Sequence, residues 1–138
     1  MQSRYLYLSW LIATIATMGS LFFSNVLNLP PCSLCWWQRI FMYPLFFIFS
    51  IGYIKKDANC CIYSTPLILG GLGFAIYHNL LYYGIIPKSI TACTLGVSCT
   101  SKQIEWLGFI TIPLLSLVAF SILTGLTIYY LKKGKQYE

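Results

Sequence analysis

The chain has 138 residues, the length of one domain. Hydrophobic residues make up 58% of it and charged residues only 9%, against roughly 25% charged in a soluble domain, which excludes a water-dispersed globule and leaves the bilayer as solvent. The formal net charge is +6. The basic residues stand in short clusters between apolar runs, not along a stripe with base-stacking aromatics, which argues against a nucleic-acid partner.

Four apolar runs follow one another, and each is long enough to cross, since about 20 helical residues span roughly 30 Å of hydrocarbon. Lipid leaves backbone polar groups to be satisfied internally, so the runs must be helices. The alternation of a barrel strand is missing. The predicted architecture is an all-α membrane protein, a bundle of four transmembrane helices in a single domain over residues 1–138. The first span covers about 5–27. It is read as a retained helix and not a cleaved leader, because its apolar length exceeds a leader core and no small-residue cleavage pattern precedes Pro30.

The first connection carries Pro30-Pro31-Cys32-Ser33-Leu34-Cys35, and the second span, about 36–54, opens with Trp36-Trp37-Gln38-Arg39. Proline favours the first turn of a helix. Cys32 would then lie at the positive end of a helix dipole, which favours a thiolate. Positions three, four and seven apart share a helix face, so Cys32, Cys35 and Arg39 line up. A fixed cation there favours a Cys35 thiolate and stabilises charge on a reduced oxygen of a bound acceptor. The plainer readings are half of a zinc site, disfavoured by the lack of a nearby histidine, an inert disulfide, and an arginine that snorkels to headgroups.

The next connection, 55–61, holds Lys55, Lys56 and the adjacent Cys60 and Cys61, which are read as reduced and non-catalytic. The third span covers about 62–86. Its Gly70, Gly71 and Gly73 suit close helix packing. His78, the one histidine, is an ionisable residue within a span and therefore a functional candidate. It could bond a carbonyl of a bound acceptor or relay protons, or simply make an interhelical hydrogen bond. Gln38 and Asn79 are weaker candidates of that kind. The third connection, about 87–105, contains Cys93 and Cys99 around Gly96, a small loop open to attack by a partner's thiolate or else merely stapled. The fourth span covers about 106–131, and Pro113 is expected to kink it.

Arg4, Lys55, Lys56, Lys132, Lys133 and Lys135 outweigh Lys88 and Lys102, so the positive-inside rule places both termini in the cytoplasm. The two connections that hold Cys32, Cys35, Cys93 and Cys99 then face outward, where disulfides persist. Trp10, Trp36, Trp37 and Trp106 lie mostly near span ends, as an aromatic belt does.

Four spans, C-x-x-C before the second, arginine four residues after its second cysteine, and an outward pair between spans three and four together resemble the DsbB-type disulfide bond formation proteins. The short Cys93–Cys99 loop is similar to the Gram-positive short form, BdbC. The resemblance covers nearly the whole chain, and its most specific part is the block from Cys32 to Arg39. It implies a quinone-dependent thiol oxidase of the cell membrane with its redox loops extracytoplasmic. The quinone would be menaquinone or ubiquinone, and the partner an extracytoplasmic thioredoxin-like thiol oxidase of the DsbA or BdbD type. By this resemblance Cys32 and Cys35 form the quinone-proximal pair, Arg39 is the quinone-binding arginine, and His78 is similar to a quinone-side histidine. Cys93 forms the mixed disulfide with the partner, and Cys99 exchanges with Cys32. The resting pairing stays open, because a Cys32–Cys99 link and two intra-pair links are both feasible. The alternatives are a vitamin K epoxide reductase-like thiol–quinone oxidoreductase, a thiol reductant running electrons outward, for which Cys60 and Cys61 are poorly placed, and a non-enzymatic tetraspan scaffold with structural disulfides.

Overall fold

A computed structural model of the chain describes residues 2–28, 33–57, 59–85, 87 and 111–135. These residues form four helices: α1 (Gln2–Asn25), α2 (Ser33–Lys55), α3 (Cys60–Tyr82) and α4 (Ile112–Lys135). Each has 23 or 24 residues, roughly 35 Å at 1.5 Å per residue. All four are long and apolar enough to cross a membrane, so the chain is an all-α bundle of four membrane-spanning helices.

The helix ends follow local chemistry. Hydropathy carries the third span to 86, but α3 stops at Tyr82. Gly84 takes a left-handed φ of 76°. Around it the Ile85 amide donates to the Leu80 carbonyl at 3.0 Å and the Gly84 amide to Leu81 at 3.2 Å. That is the glycine-centred pair of bonds that closes a helix C-terminus. Lys56 takes the same left-handed conformation, φ 53°, after α2. The Asp57 amide then reaches back to Gly52 O at 3.0 Å, and the Asp57 carboxylate accepts the Asn59 amide at 2.9 Å.

Pro113 does not kink the fourth helix as the sequence suggested. The Thr111 hydroxyl accepts the Leu114 amide at 3.3 Å and caps a helix that begins at Ile112. Pro113 therefore sits in the first turn, where no amide is needed and its fixed φ suits the helix. Residues 106–110, which the sequence reading gave to this span, lie outside the described residues.

Neighbours in sequence pack against one another, and α4 closes the ring against α1 along the sparsest seam. The helices are apolar nearly all round, as lipid requires. Ile15, Phe47, Ile54, Ile62 and Leu69 point outward, whereas Ser9, Thr17, Gln38, His78, Asn79 and Thr127 are buried. With no hydrophobic drive between helices in lipid, shape and interior polar bonds set the packing. The Phe120 ring of α4 occupies the place of a Gly71 side chain, where a Cβ would fall 2.1 Å from it, and Phe41 of α2 does the same at Gly70, at 2.8 Å. Gly73 meets nothing within 4 Å. Of the three glycines expected to allow close packing, two do so.

Gly71→Ala should therefore lower the thermal midpoint in detergent, at a cost of about 1–3 kcal/mol for an overpacked core. Gly73→Ala should leave it unchanged, and adding Phe120→Leu to Gly71→Ala should restore part of the loss.

Candidate functional site

Polar bonds between helices fix their antiparallel order. Arg39, near the start of α2, bonds Ser20 and Ser24, near the end of α1. Gln38 of α2 meets His78, near the end of α3. The Asn79 amide of α3 donates to the Pro113 carbonyl at the start of α4, 2.8 Å away. All three ties lie at one end of the bundle. Both chain connections that carry predicted redox cysteines, 29–32 and 86–110, attach at this end.

Cys35 is the third residue of α2, in the first turn, where amide hydrogens lack helical partners and the dipole is positive. Its side chain is half-buried. Cys32 immediately precedes α2, and its structure, like that of Cys93 and Cys99, lies outside the described residues.

One helical turn below Cys35, Arg39 turns toward α1. Its Nε donates to Ser20 Oγ at 2.8 Å. Its Nη2 donates to the Ser20 carbonyl at 3.0 Å and to Ser24 Oγ. The guanidinium carbon lies 5.6 Å from the centre of the Trp36 ring, a cation–π distance. Nη1 is left without a protein partner among the described residues. Two hydroxyls four residues apart on a helix share one face. Here they form a cradle for the cation, so the guanidinium is held inside the bundle by α1.

Cys35 and Arg39 line the same cavity, of about 400 Å³, between α1, α2 and α4. Its walls are mostly apolar, with Ile12, Ala16, Phe23, Met42 and Phe120 among them. The polar exceptions are Ser20, Ser24, Gln38, Arg39, Tyr43 and Ser116, together with the Cys35 sulfur. Ile15, Leu115, Val118 and Ile122 line it and are also exposed on the outer face of the bundle. The cavity therefore opens sideways at the α1–α4 seam. An apolar pocket with a few convergent polar groups is the usual form of a small-molecule site.

His78 does not line this cavity. It is buried, 2% exposed, and its Nδ1 lies 3.2 Å from Gln38 Nε2. Gln38 does line the cavity, so His78 stands one residue behind the wall. Cys60 and Cys61 are buried at the opposite end of the bundle, separated from Cys35 by the length of α2, roughly 30 Å. Sequence reasoning passed over Ser20, Ser24 and Tyr43. The available signal is a pair of hydroxyls at i and i+4 in the half of the first span that leads into the C-x-x-C connection, next to a span that carries an arginine.

The family model described as "Disulfide bond formation protein DsbB" matches residues 2–130. The chain is 44% identical over 116 residues to a probable disulfide formation protein C of Halalkalibacterium halodurans, covering 83% of this chain and 84% of that protein. It is 40% identical over 134 residues to disulfide bond formation protein C of Bacillus subtilis, covering 97% and 96%. It is 43% identical over 130 residues to a probable disulfide formation protein of Deinococcus radiodurans, covering 88% and 84%. No solved structure matches the chain.

Gln38 and His78 are both buried, so Gln38→Leu should destabilise the bundle by about 1–3 kcal/mol through the ring nitrogen that loses a partner. The check is the thermal midpoint in detergent, and a midpoint equal to that of the parent protein would sink the structural role of the pair.

Proposed function

The chain belongs to the DsbB family of disulfide bond formation proteins, and from that membership we propose that it oxidises an extracytoplasmic thioredoxin-like protein of the DsbA or BdbD type and passes the electrons to a membrane quinone. As a family member it is a multi-pass membrane oxidoreductase of disulfide formation. The single observation that carries the finer reading is the cavity itself. It joins a sulfur in the first turn of α2 and a fixed cation in one apolar chamber that opens toward lipid.

The residues present fit a quinone. Menaquinone and ubiquinone both have an apolar ring and tail, which suit the walls, and ring oxygens that need donors. A quinone dissolved in the bilayer would reach such a cavity sideways, past Ile15 and Val118. When bound, it supplies the electron-accepting chemistry. Arg39 offers Nη1 to a ring oxygen and stabilises negative charge as it develops there. The apolar lining excludes water and strengthens that interaction.

Thiol–disulfide exchange supplies the other half. A thiolate of the reduced partner attacks the Cys93–Cys99 disulfide, Cys93 carrying the mixed bond. The second partner thiolate resolves it, leaving the partner oxidised and Cys93 and Cys99 reduced. Exchange through Cys99 and Cys32 moves the two electrons to the first pair. Cys35, at the cavity wall, is the sulfur that hands them on, and the Cys32–Cys35 disulfide reforms. In the net reaction two electrons and two protons leave a partner dithiol, which becomes a disulfide, and the quinone becomes a quinol. His78, behind Gln38, acts on the cavity through that side chain.

The basic residues Arg4, Lys55, Lys56, Lys132 and Lys133 all fall at the end of the bundle away from Cys35. By the positive-inside rule this supports cytoplasmic termini and an extracytoplasmic site in the plasma membrane, with residues 1–138 as one domain.

The test is anaerobic mixing of purified protein with quinone and a reduced thioredoxin-like substrate, followed by quinone absorbance. Cys35→Ser should abolish quinone-linked thiol oxidation while keeping the parent's thermal midpoint. Normal turnover in that variant would refute the reading and favour a scaffold whose disulfides are only structural.

A further inference from the structure

Tyr43 is four residues after Arg39 on α2, on the same face, and lines the same cavity. Its hydroxyl is buried and makes no hydrogen bond among the described residues. A buried polar atom without a partner costs free energy and calls for an explanation. The buried hydroxyls of Ser9 and Thr17 share this condition, but short side chains on a helix can turn to a carbonyl of the preceding turn. A tyrosine hydroxyl, at the far end of a rigid ring, has no such recourse. Its partner must come from outside its own helix.

Arg39 narrows what that partner is. The Ser20 and Ser24 cradle takes the Nε hydrogen and both Nη2 bonds. A carboxylate or phosphate is gripped by two parallel N–H groups of one guanidinium, and each such fork needs a hydrogen from Nη2. Arg39 is therefore left with Nη1 alone, which meets an acceptor as a single nitrogen and cannot close such a fork. The cavity then presents two separate donors, Nη1 and the Tyr43 hydroxyl, on residues roughly 6 Å apart along the helix. That is the scale of one ring with an oxygen on each side.

Building on the quinone reading, we infer that Tyr43 is a second binding residue. It donates a hydrogen bond to the inner ring oxygen while Arg39 holds the outer one, so the cavity selects a neutral dicarbonyl ring over an anionic lipid headgroup.

Tyr43→Phe removes the hydroxyl and keeps the ring. Binding is measured on the full-length protein in detergent by equilibrium dialysis, with 2,3-dimethyl-1,4-naphthoquinone and with the single-carbonyl analogue 1-tetralone. The variant should raise the Kd of the naphthoquinone about tenfold, as loss of one hydrogen bond to a buried group does. The Kd of 1-tetralone should stay the same, because Arg39 still serves its one oxygen. The thermal midpoint without ligand should hold or rise, since an unpartnered hydroxyl has been removed. An unchanged naphthoquinone Kd, equal weakening of both ligands, or a lowered midpoint would each overturn the assignment of Tyr43. If the parent protein oxidises thiols with quinone and only the Tyr43 results fail, the inference falls alone. If the parent protein neither binds the naphthoquinone nor reduces it, the quinone reading falls and takes the inference with it.

Discussion

A guanidinium inside a membrane bundle persists only where acceptors are arranged around it, and Arg39 finds its acceptors on another helix. Ser20 contributes a hydroxyl and a carbonyl, Ser24 a second hydroxyl. This contact sets the approach of α1 to α2, fixes the cation against one wall, and leaves a chamber between those helices and α4. Removing the acceptors would leave the charge to seek water or headgroups, and the chamber would lose its defined polar corner. The position of Arg39 relative to Cys35 is a property of one helix, but its direction is a property of two.

The interior bonds are unevenly distributed. Toward the Cys35 end lie the arginine cradle, the Gln38–His78 pair and the Asn79–Pro113 bond, which link consecutive helices in turn. Toward the other end, Thr127 donates to its own helix at the Leu123 carbonyl, so the Tyr5 hydroxyl, 3.0 Å away, is the donor to Thr127. Tyr5 also stacks on Tyr130, with ring centres 4.5 Å apart. That second cluster ties α1 to α4 where the chamber does not reach. The seam between these helices is thus fastened at the end of the buried Cys60 and Cys61 and open at the end of Cys35.

Much of this was legible in the sequence, for identifiable reasons. Crossing a bilayer demands a run of apolar residues, so the four spans stand out. A four-residue step on one helix is a local fact, so the alignment of Cys35 with Arg39 can be read directly. The membership in the disulfide bond formation family, suggested by that same block, agrees with the family match. What could not be read was lateral. Helices that are apolar all round do not announce which face meets which neighbour, so Ser20, Ser24 and the orphan hydroxyl of Tyr43 went unnoticed. For the same reason the sequence does not show that His78 stands behind Gln38 and not at the chamber wall. Pro113 reads as a kink in the sequence because hydropathy runs on past it. The Thr111 cap, a polar detail inside an apolar stretch, decides where α4 begins.

No described residue of α3 lines the chamber, yet α3 governs its depth. Phe120 belongs to the chamber lining, and its ring withdraws into the notch left by the absent side chain of Gly71. A methyl group at that notch would push the ring forward and shorten the space available below Arg39. The room inside the chamber is therefore written partly in a residue that does not line it, and for the proposed quinone that residue would set how large a ring fits.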